Sequence, residues 1–407
     1  MKILFRSFWV AVFPYSIVRP PSWSHQKGWF FALRRHPSAT LQDDGEKQAT
    51  VKAGILEAVT SESLSVREGI SLAPFTTFRI GGPARFFAEA ITEQDVAAAV
   101  AWAEQQGVAL FLLGGGSNLL VRDEGFAGLV LHMKIPGIEA LAAGVFEIGA
   151  GEIWDDFVSR AVAAGCAGIE CLAGIPGSVG GTPVQNVGAY GQEVAETIVS
   201  VRVFDRQLRT FVDLPKHECH FRYRASLFNT DARDRYIVTR VRFQLRPGGA
   251  PTLRYADLQQ HFASASISPT LAAVAAAVRE IRRAKGMLIV EGDPDCRSAG
   301  SFFKNPVVAV SLLPEVAKAA GMEVADVPHW PAGEGFVKLP AAWLLEHAGF
   351  VKGYGGGPAG ISTRHTLALT NRGGATFADV ERLQEEIVAG VELRFGVRLE
   401  REPVLLG

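Results

Sequence analysis

Residues 165–193 read GCAGIECLAGIPGSVGGTPVQNVGAYGQE, a segment that is both rich in glycine and apolar. Six glycines lie from Gly174 to Gly191, and Ile175, Pro176 and several valines stand between them. A flexible linker would be polar, whereas glycine lets the backbone approach another surface closely. The segment therefore indicates backbone packed against a large flat ligand. Tight turns within a β layer are the alternative explanation.

A second glycine-rich loop, GGGSN at residues 114–118, lies earlier in the chain. It directly follows an apolar, strand-like run at residues 108–113. Glycines at the end of a buried strand let the backbone turn tightly and present N–H groups to an anion, and the serine and asparagine add side-chain donors. No Lys-Ser or Lys-Thr pair follows, so the loop is not a Walker motif. It indicates an anion site, with a glycine-rich surface turn as the alternative.

Helical and strand-like patterns alternate through most of the chain. Thr92 followed by Asp95 is typical of a helix N-terminus. Ser268-Pro269 and Thr376 predict the starts of two further helices, the second of which ends at Gly396. Strand-like apolar runs occupy residues 108–113, 119–121 and 397–399. This alternation favours a mixed α/β or α+β architecture.

The composition is that of a folded, multidomain chain with balanced charge. The 407 residues suggest two or three domains at about 150 residues each. With 48% hydrophobic and 20% charged residues, the chain can bury a large core. Lys and Arg number 41 and Asp and Glu 42, which argues against a nucleic-acid binder. The four cysteines form no CxxC pair, so we expect no metal site, no disulfide framework and a reducing compartment.

Residues 1–65 differ from the rest of the chain. Their first 50 residues hold seven Lys or Arg against three Asp or Glu. Residues 7–18 carry no charge, but this run is shorter than the roughly 20 residues of a membrane-spanning helix, and Pro14 interrupts it. We therefore expect a poorly ordered extension that continues as a polar linker over residues 36–65, without stable membrane insertion. A signal peptide or membrane anchor is the alternative.

Six sequence blocks stand in a fixed order from about residue 66 to the C-terminus. They are FTTFRIGG at 75–82, LLGGGSNLLV at 112–121, GIPGSVGGTPVQNVGAYG at 174–191, FRYRASLF at 221–228, AGSFFKNP at 299–306 and RLEREPVLLG at 398–407. Together these blocks closely resemble the UDP-N-acetylenolpyruvoylglucosamine reductase family. Residues 1–65 lie outside the resemblance.

The resemblance implies an α+β fold class. Two subdomains would form an FAD-binding fold of the vanillyl-alcohol-oxidase or PCMH type, and a smaller α/β domain would bind the substrate. The implied regions are FAD-binding subdomain 1 at residues 66–132 with a C-terminal strand at 399–407, FAD-binding subdomain 2 at 133–287, and the substrate-binding domain at 288–398. The segment PTLRYADL carries Tyr255 where one subgroup of the family has a tyrosine-bearing active-site loop.

The reaction that the resemblance implies is the reduction of UDP-N-acetylglucosamine enolpyruvate to UDP-N-acetylmuramate for peptidoglycan synthesis. NADPH would reduce the flavin, which would deliver hydride to the terminal enolpyruvyl carbon. Arg224 matches the arginine that stabilises charge on the substrate carboxylate, and Ser301 matches the proton donor. Glu402 matches the catalytic carboxyl group. Because the proline follows Glu402 here and does not precede it, Glu400 is the alternative.

The resemblance also implies the binding residues. For FAD they are Gly114, Gly115, Gly116, Ser117, Asn118, Ile175, Pro176, Gly177, Gly181 and Gly188; for the UDP-sugar enolpyruvyl ether they are Tyr255, Lys285, Asn305 and His365. The glycine loops carry no Cys or His placed for covalent attachment, so we expect non-covalent FAD. We expect a cytoplasmic monomer that acts on small molecules, NADPH among them, and not on nucleic acid. The alternatives are another FAD-linked oxidase or dehydrogenase of the same fold, and a non-catalytic sugar-nucleotide-binding protein.

Overall fold

The structure, a computed structural model, describes residues 64–264 and 267–407. The predictions for the N-terminal extension therefore lie outside the described residues, except at Leu64 and Ser65. The helices are α1 (Glu93–Gln106), α2 (Trp154–Ala163), α3 (Ala256–His261), α4 (Leu271–Ala284), α5 (Leu313–Ala320), α6 (Ala341–His347) and α7 (Phe377–Phe395). Within these two ranges, no helix is both long and apolar enough to cross a bilayer.

The strands are spread over the whole of the described chain. They are β1 (Arg67–Ser71), β2 (Pro83–Ala90), β3 (Leu110–Leu113), β4 (Leu119–Val121), β5 (Phe126–Met133), β6 (Ile138–Ala142), β7 (Val145–Gly149), β8 (Cys166–Ala167), β9 (Gly188–Ala189), β10 (Gln192–Glu193), β11 (Ile198–Asp205), β12 (Thr210–Pro215), β13 (Tyr236–Gln244), β14 (Arg246–Pro247), β15 (Val307–Ala309), β16 (Trp330–Pro331), β17 (Phe336–Lys338), β18 (Ala359–Ile361), β19 (Leu369–Asn371) and β20 (Val404–Leu406). Together with the helices they confirm the predicted α+β class.

The first sheet has the strand order β1-β2-β5-β3. β2 and β3 both run parallel to β5, and α1 supplies the crossover that a parallel arrangement requires. The predicted capping box starts α1: the Thr92 hydroxyl accepts the Asp95 N–H at 3.1 Å, and the Asp95 carboxylate accepts the Thr92 N–H at 2.8 Å. This confirms the predicted helix start. The first glycine loop follows β3 directly, so the sheet fixes its position.

The second sheet is antiparallel throughout, with the order β12-β11-β13-β7-β6. Helix α2 buries Trp154 and Phe157 against it, and the Phe157 ring lies 5.1 Å from the Phe243 ring of β13. The Trp154 indole also donates to the Leu172 carbonyl at 3.0 Å. Helix α2 therefore holds the start of the second glycine-rich segment onto the core of this sheet.

The C-terminal region contains the antiparallel sheet β15-β17-β16, the pair β18-β19 and helices α5 to α7. Its core includes the fully buried Phe302, Leu344 and Ile387. Helix α7 begins at the predicted capping residue Thr376 and ends at the predicted Gly396, which has a left-handed φ of 65°. Both predictions for this helix are confirmed.

The predicted start of α4 is wrong by two residues. Thr270, not Ser268, is the N-cap: its hydroxyl accepts the Ala273 N–H at 3.1 Å, and Leu271 is the first helical residue. Leu271 is also the first buried side chain of the helix. A Ser-Pro-Thr sequence offers two capping hydroxyls, and the need to bury Leu271 selects the second.

The strand predicted at residues 397–399 is absent. Val397 and Leu399 are buried in the C-terminal core, which explains their apolar pattern, but they pair with no strand among the described residues. Pairing resumes at Arg401, which bridges to Phe303, and continues in β20, which runs parallel to β4 beside the first glycine loop. The chain end therefore returns to the N-terminal sheet.

Candidate active site

The two glycine-rich loops lie against each other. A Cβ atom added to Gly115 would lie 2.5 Å from the Gly177 Cα, and one added to Gly114 would lie 2.8 Å from the Ser178 hydroxyl oxygen. The backbone contact at Gly115 leaves no room for a side chain, so glycine is required there, whereas a side chain at position 114 would displace the Ser178 hydroxyl. Loops that are distant in sequence thus form one structure, which we call the glycine cradle (residues 114–118 and 175–181).

The glycine cradle presents polar groups that the protein itself does not satisfy. The backbone N–H groups of residues 114–118 donate to no acceptor among the described residues. Of the buried side-chain polar atoms in the described ranges, only the Ser178 hydroxyl lacks a hydrogen-bond partner. The Asn118 amide, in contrast, donates to Gln185 at 2.9 Å. Because unpaired buried polar groups cost free energy, the cradle is suited to a ligand that accepts hydrogen bonds.

A short antiparallel pairing brings the Ser301 segment beside the two C-terminal glutamates. The Glu402 N–H donates to the Phe302 carbonyl and the Lys304 N–H donates to the Glu400 carbonyl, both at 2.9 Å. The Glu402 side chain is 22% exposed. The Glu400 side chain is 77% exposed and lies beside the Lys304 ammonium. Glu402 is thus mostly buried, whereas Glu400 lies mostly in solvent.

Arg224 faces Glu402, with 3.6 Å between Nε and Oε1. Arg224 has a left-handed φ of 54° in a tight turn that is closed by hydrogen bonds between Arg222 and Ala225. A non-glycine residue in this conformation is strained, and such strain is common at functional sites. Burial raises the pKa of the Glu402 carboxyl group, although the charges of Arg224 and Lys304 oppose the shift. Glu402 therefore holds its proton more readily than an exposed glutamate.

The Ser301 hydroxyl is half-buried and available to a ligand. It makes no hydrogen bond to another residue in the described part of the chain. Gly300 precedes it with a left-handed φ of 75°, and the backbone then enters the paired segment at Phe302. The structure thus places the predicted proton donor and the predicted carboxyl group, Glu402, on two paired segments.

Tyr255 and Lys285 lie at neighbouring helix ends. Tyr255 is the N-cap of α3 and is 42% exposed, and its ring makes an edge contact with the Tyr190 ring at 5.2 Å. Lys285 is the C-cap of α4, and its ammonium lies 2.6 Å from the Asp257 carboxylate. An aromatic hydroxyl and a cation are therefore presented together.

His365 and Asn305 are constrained by backbone groups. Burial lowers the pKa of His365 to about 4, and the nearby charge of Lys285 acts in the same direction. His365 Nδ1 accepts the Leu367 N–H at 3.1 Å, so the neutral ring carries its proton on Nε2. The Asn305 side-chain carbonyl accepts the Ala341 N–H at 2.9 Å and caps α6, which leaves its NH₂ group for a ligand.

Comparison with known proteins identifies the family to which the chain belongs. Residues 84–208 match the FAD binding domain, and residues 293–406 match the C-terminal domain of UDP-N-acetylenolpyruvoylglucosamine reductase. The UDP-N-acetylenolpyruvoylglucosamine reductase of Streptomyces coelicolor is 48% identical over 355 residues, which is 86% of this chain and 92% of that protein. The protein of that name from Thermobifida fusca is 46% identical over 354 residues, which is 84% of this chain and 98% of that protein. The chain belongs to the UDP-N-acetylenolpyruvoylglucosamine reductase family.

A solved structure of the reductase family supports the same assignment. The crystal structure of the UDP-N-acetylenolpyruvylglucosamine reductase from Thermus caldophilus matches with a TM-score of 0.57 and 27% identity, covering 84% of this chain and 99% of that one. The comparisons confirm the predicted family, the FAD-binding fold joined to the reductase C-terminal domain, and FAD as the cofactor.

The glycine cradle fits the FAD of a reductase-family enzyme. Five successive N–H donors and the unpaired Ser178 hydroxyl suit the anionic, oxygen-rich part of a dinucleotide. Gly188, a predicted FAD contact, lies outside the cradle in the β9-β10 hairpin, where an added Cβ would meet the Glu193 side chain at 2.8 Å. Sequence reasoning missed Ser178, because a serine within a glycine-rich run carries no signal until the two loops are seen to meet.

Proposed function

We propose that this chain reduces UDP-N-acetylglucosamine enolpyruvate to UDP-N-acetylmuramate, a peptidoglycan precursor, with FAD as cofactor and NADPH as reductant. The observation that carries the proposal is that Glu402, paired with the Ser301 segment, also lies beside Arg224. Reduction of an enolpyruvyl double bond needs a hydride, a proton and stabilisation of charge on the carboxylate. These three side chains supply the proton and the stabilisation.

The protein's own contribution to the reaction divides among the three residues. Bound FAD supplies hydride transfer from NADPH to the terminal enolpyruvyl carbon. The Arg224 guanidinium binds the substrate carboxylate and stabilises the negative charge that hydride addition pushes into it. Glu402, which burial helps to keep protonated, donates a hydrogen bond to the same group. The Ser301 hydroxyl then gives a proton to the carbon beside the carboxylate.

We assign the other predicted residues to binding. Gly114, Gly115, Gly116, Ser117, Asn118, Ile175, Pro176, Gly177 and Gly181 would line the FAD site. Lys285 and Tyr255 would meet the diphosphate, since they offer a cation and a hydroxyl at adjoining helix ends. His365 would donate from Nε2, and Asn305 would donate through the NH₂ group that its capping role leaves free.

We propose the domain division and the molecular setting that follow from the family. FAD-binding subdomain 1 would span residues 66–132 and recover the chain end at 399–407, subdomain 2 would span 133–287, and the substrate-binding domain would span 288–398. The enzyme would work as a cytoplasmic monomer. Light scattering should then give the chain mass of 43.7 kDa in solution, and a multiple of it would contradict the monomer.

The test of the function uses the purified holoenzyme without oxygen. NADPH should bleach the flavin absorbance, and UDP-N-acetylglucosamine enolpyruvate should restore it. NADH in place of NADPH serves as the comparison for the reductant. If oxygen alone restored the flavin absorbance and the enolpyruvyl substrate did not, the protein would be an oxidase of the same fold. No bleaching and no substrate response would leave a binding protein.

A further inference from the structure

A fully buried carboxylate lies outside the catalytic group described above. Glu170 is 0% exposed and accepts three hydrogen bonds: from the Gly168 N–H at 2.7 Å, from the Thr252 N–H at 2.8 Å and from the Gln192 amide at 2.9 Å. It forms no ion pair with a Lys or Arg in the described ranges. Burying a charge without a counterion is costly unless hydrogen bonds satisfy it. The three donors must therefore stay in place for the carboxylate to stay where it is.

The Glu170 network holds one residue, Thr252, through three separate groups. The Thr252 N–H donates to Glu170, its hydroxyl accepts from the Gln192 amide at 3.1 Å, and its carbonyl accepts from the Cys171 thiol at 3.1 Å. Gln192 is fixed in turn, because its side-chain carbonyl accepts the Cys171 N–H at 2.8 Å. Glu170, Cys171, Gln192 and Thr252, which we call the loop clamp, therefore have little freedom to rearrange.

The loop clamp lies at the base of the segment that carries Tyr255. Tyr255 follows Thr252 by three residues and is 42% exposed. The hairpin that supplies Gln192 also supplies Tyr190, whose ring contacts Tyr255. Between them, an added Cβ on Gly191 would lie 2.9 Å from the Arg254 Cβ, so the two segments touch along their length. The segment from Thr252 to Tyr255 is therefore held rigidly at Thr252 and exposed at Tyr255.

We propose that Glu170 and Gln192 are positioning residues that fix where Tyr255 meets the sugar nucleotide. The proposal rests on the proposed function, since it takes Tyr255 as a substrate contact. Neither residue touches the substrate; both act through Thr252. A loop that is already held in place loses less conformational freedom when substrate binds, so the clamp favours substrate affinity. The FAD site should depend on it much less.

The first test replaces Glu170 by glutamine. The Glu170→Gln side chain keeps the shape but turns an NH₂ group toward one of its former N–H donors, which leaves a buried donor unpaired. Anaerobic stopped-flow absorbance should show normal FAD content and reduction by NADPH within about twofold of wild type. The substrate concentration for half-maximal reoxidation should rise at least about fivefold. The matched control is Glu147→Gln, which breaks the ion pair with Arg242 between β7 and β13, outside the loop clamp, and should change neither step.

A double-mutant cycle separates positioning from a general structural effect. If Glu170 acts through Tyr255, then Glu170→Gln should add less than about twofold to the loss already caused by Tyr255→Ala. The proposal would be overturned if the double variant showed the product of the two single-variant losses. It would also be overturned if Glu170→Gln impaired flavin reduction and reoxidation equally. If Glu170→Gln yields no folded flavoprotein, Thr252→Val is the deciding variant, because it removes only the hydroxyl that accepts from Gln192. Thr252→Val should also raise the substrate concentration for half-maximal reoxidation. An unchanged value would overturn the proposal. Wild-type protein that substrate fails to reoxidise would instead refute the proposed function.

Discussion

Replacing Ser301 by alanine should separate the two half-reactions. The Ser301 hydroxyl makes no hydrogen bond to another described residue, so its removal should change the free energy of unfolding by no more than about 0.5 kcal/mol. Flavin reduction by NADPH involves no protonation of substrate carbon and should proceed at nearly the wild-type rate. Reoxidation by the enolpyruvyl substrate should slow by about 10²–10⁴-fold, the usual contribution of a positioned acid. This corresponds to about 3–5 kcal/mol of activation free energy.

The Ser301→Ala assay is anaerobic stopped-flow absorbance of the flavin, with each half-reaction followed alone. Ser301→Cys is the matched control, because it restores an acidic proton at similar geometry and should recover part of the lost reoxidation rate. Urea unfolding of both variants checks that the fold is unchanged. Slow reduction with normal reoxidation would refute the reasoning and remove Ser301 from the proton-donor role.

Three further results are expected. Because burial raises the pKa of Glu402, its carboxyl group should lose its proton as the pH rises through that raised pKa, and the reoxidation rate should fall. Glu402→Gln keeps an N–H donor and should remove this pH dependence. An unchanged pH–rate profile in the variant would argue that another group titrates. Burial lowers the pKa of His365 from its ordinary 6.5 to about 4, so below pH 6.5 the unfolded chain binds a proton that the folded chain does not. In urea unfolding, wild type should therefore lose about 3 kcal/mol of stability relative to His365→Gln between pH 6.5 and 4. Parallel curves of stability against pH for the two proteins would contradict this. FAD should leave the protein on acid precipitation and pass an ultrafiltration membrane, and flavin retained with the protein would indicate covalent attachment.

Local features of the fold could be predicted from the sequence because their causes are local. The capping boxes at Thr92 and Thr376 and the glycine at 396 act within a few residues of where they stand. The same reasoning failed at Ser268, where the choice between two hydroxyls depended on burial of Leu271 in the tertiary structure. It failed again at residues 397–399, because an apolar run next to a core looks the same whether or not a partner strand lies beside it.

The catalytic site could be predicted only as far as residue types and order allow. The choice between Glu400 and Glu402 could not be made by counting from the C-terminus, because the proline is displaced. It depends on a tertiary contact: Glu402 lies beside Arg224, whereas Glu400 lies beside Lys304 and is mostly exposed. The contact of the two glycine loops, and with it the position of Ser178, also depends on tertiary structure. Such contacts between distant segments leave no local pattern in a single sequence.

The loop clamp had no sequence signal for a related reason. Glu170 and Thr252 are separated by 82 residues, and a lone glutamate in a glycine-rich segment is ordinarily an exposed one. The apolar residues around Glu170 indicate a buried segment, yet they do not say which donors would satisfy its carboxylate. Two of the three donors, the Gln192 amide and the Thr252 N–H, come from the β9-β10 hairpin and from the segment before Tyr255, which are distant in sequence.

The most direct test of the central claim is the stoichiometry and identity of the product under anaerobic conditions. The holoenzyme with NADPH and UDP-N-acetylglucosamine enolpyruvate should consume one NADPH for each molecule of substrate. Mass spectrometry should then find a sugar nucleotide two hydrogen atoms heavier than the substrate, and a reaction run in D₂O should place deuterium on the carbon beside the carboxylate. NADPH consumption that leaves the enolpyruvyl sugar nucleotide unchanged would contradict the account.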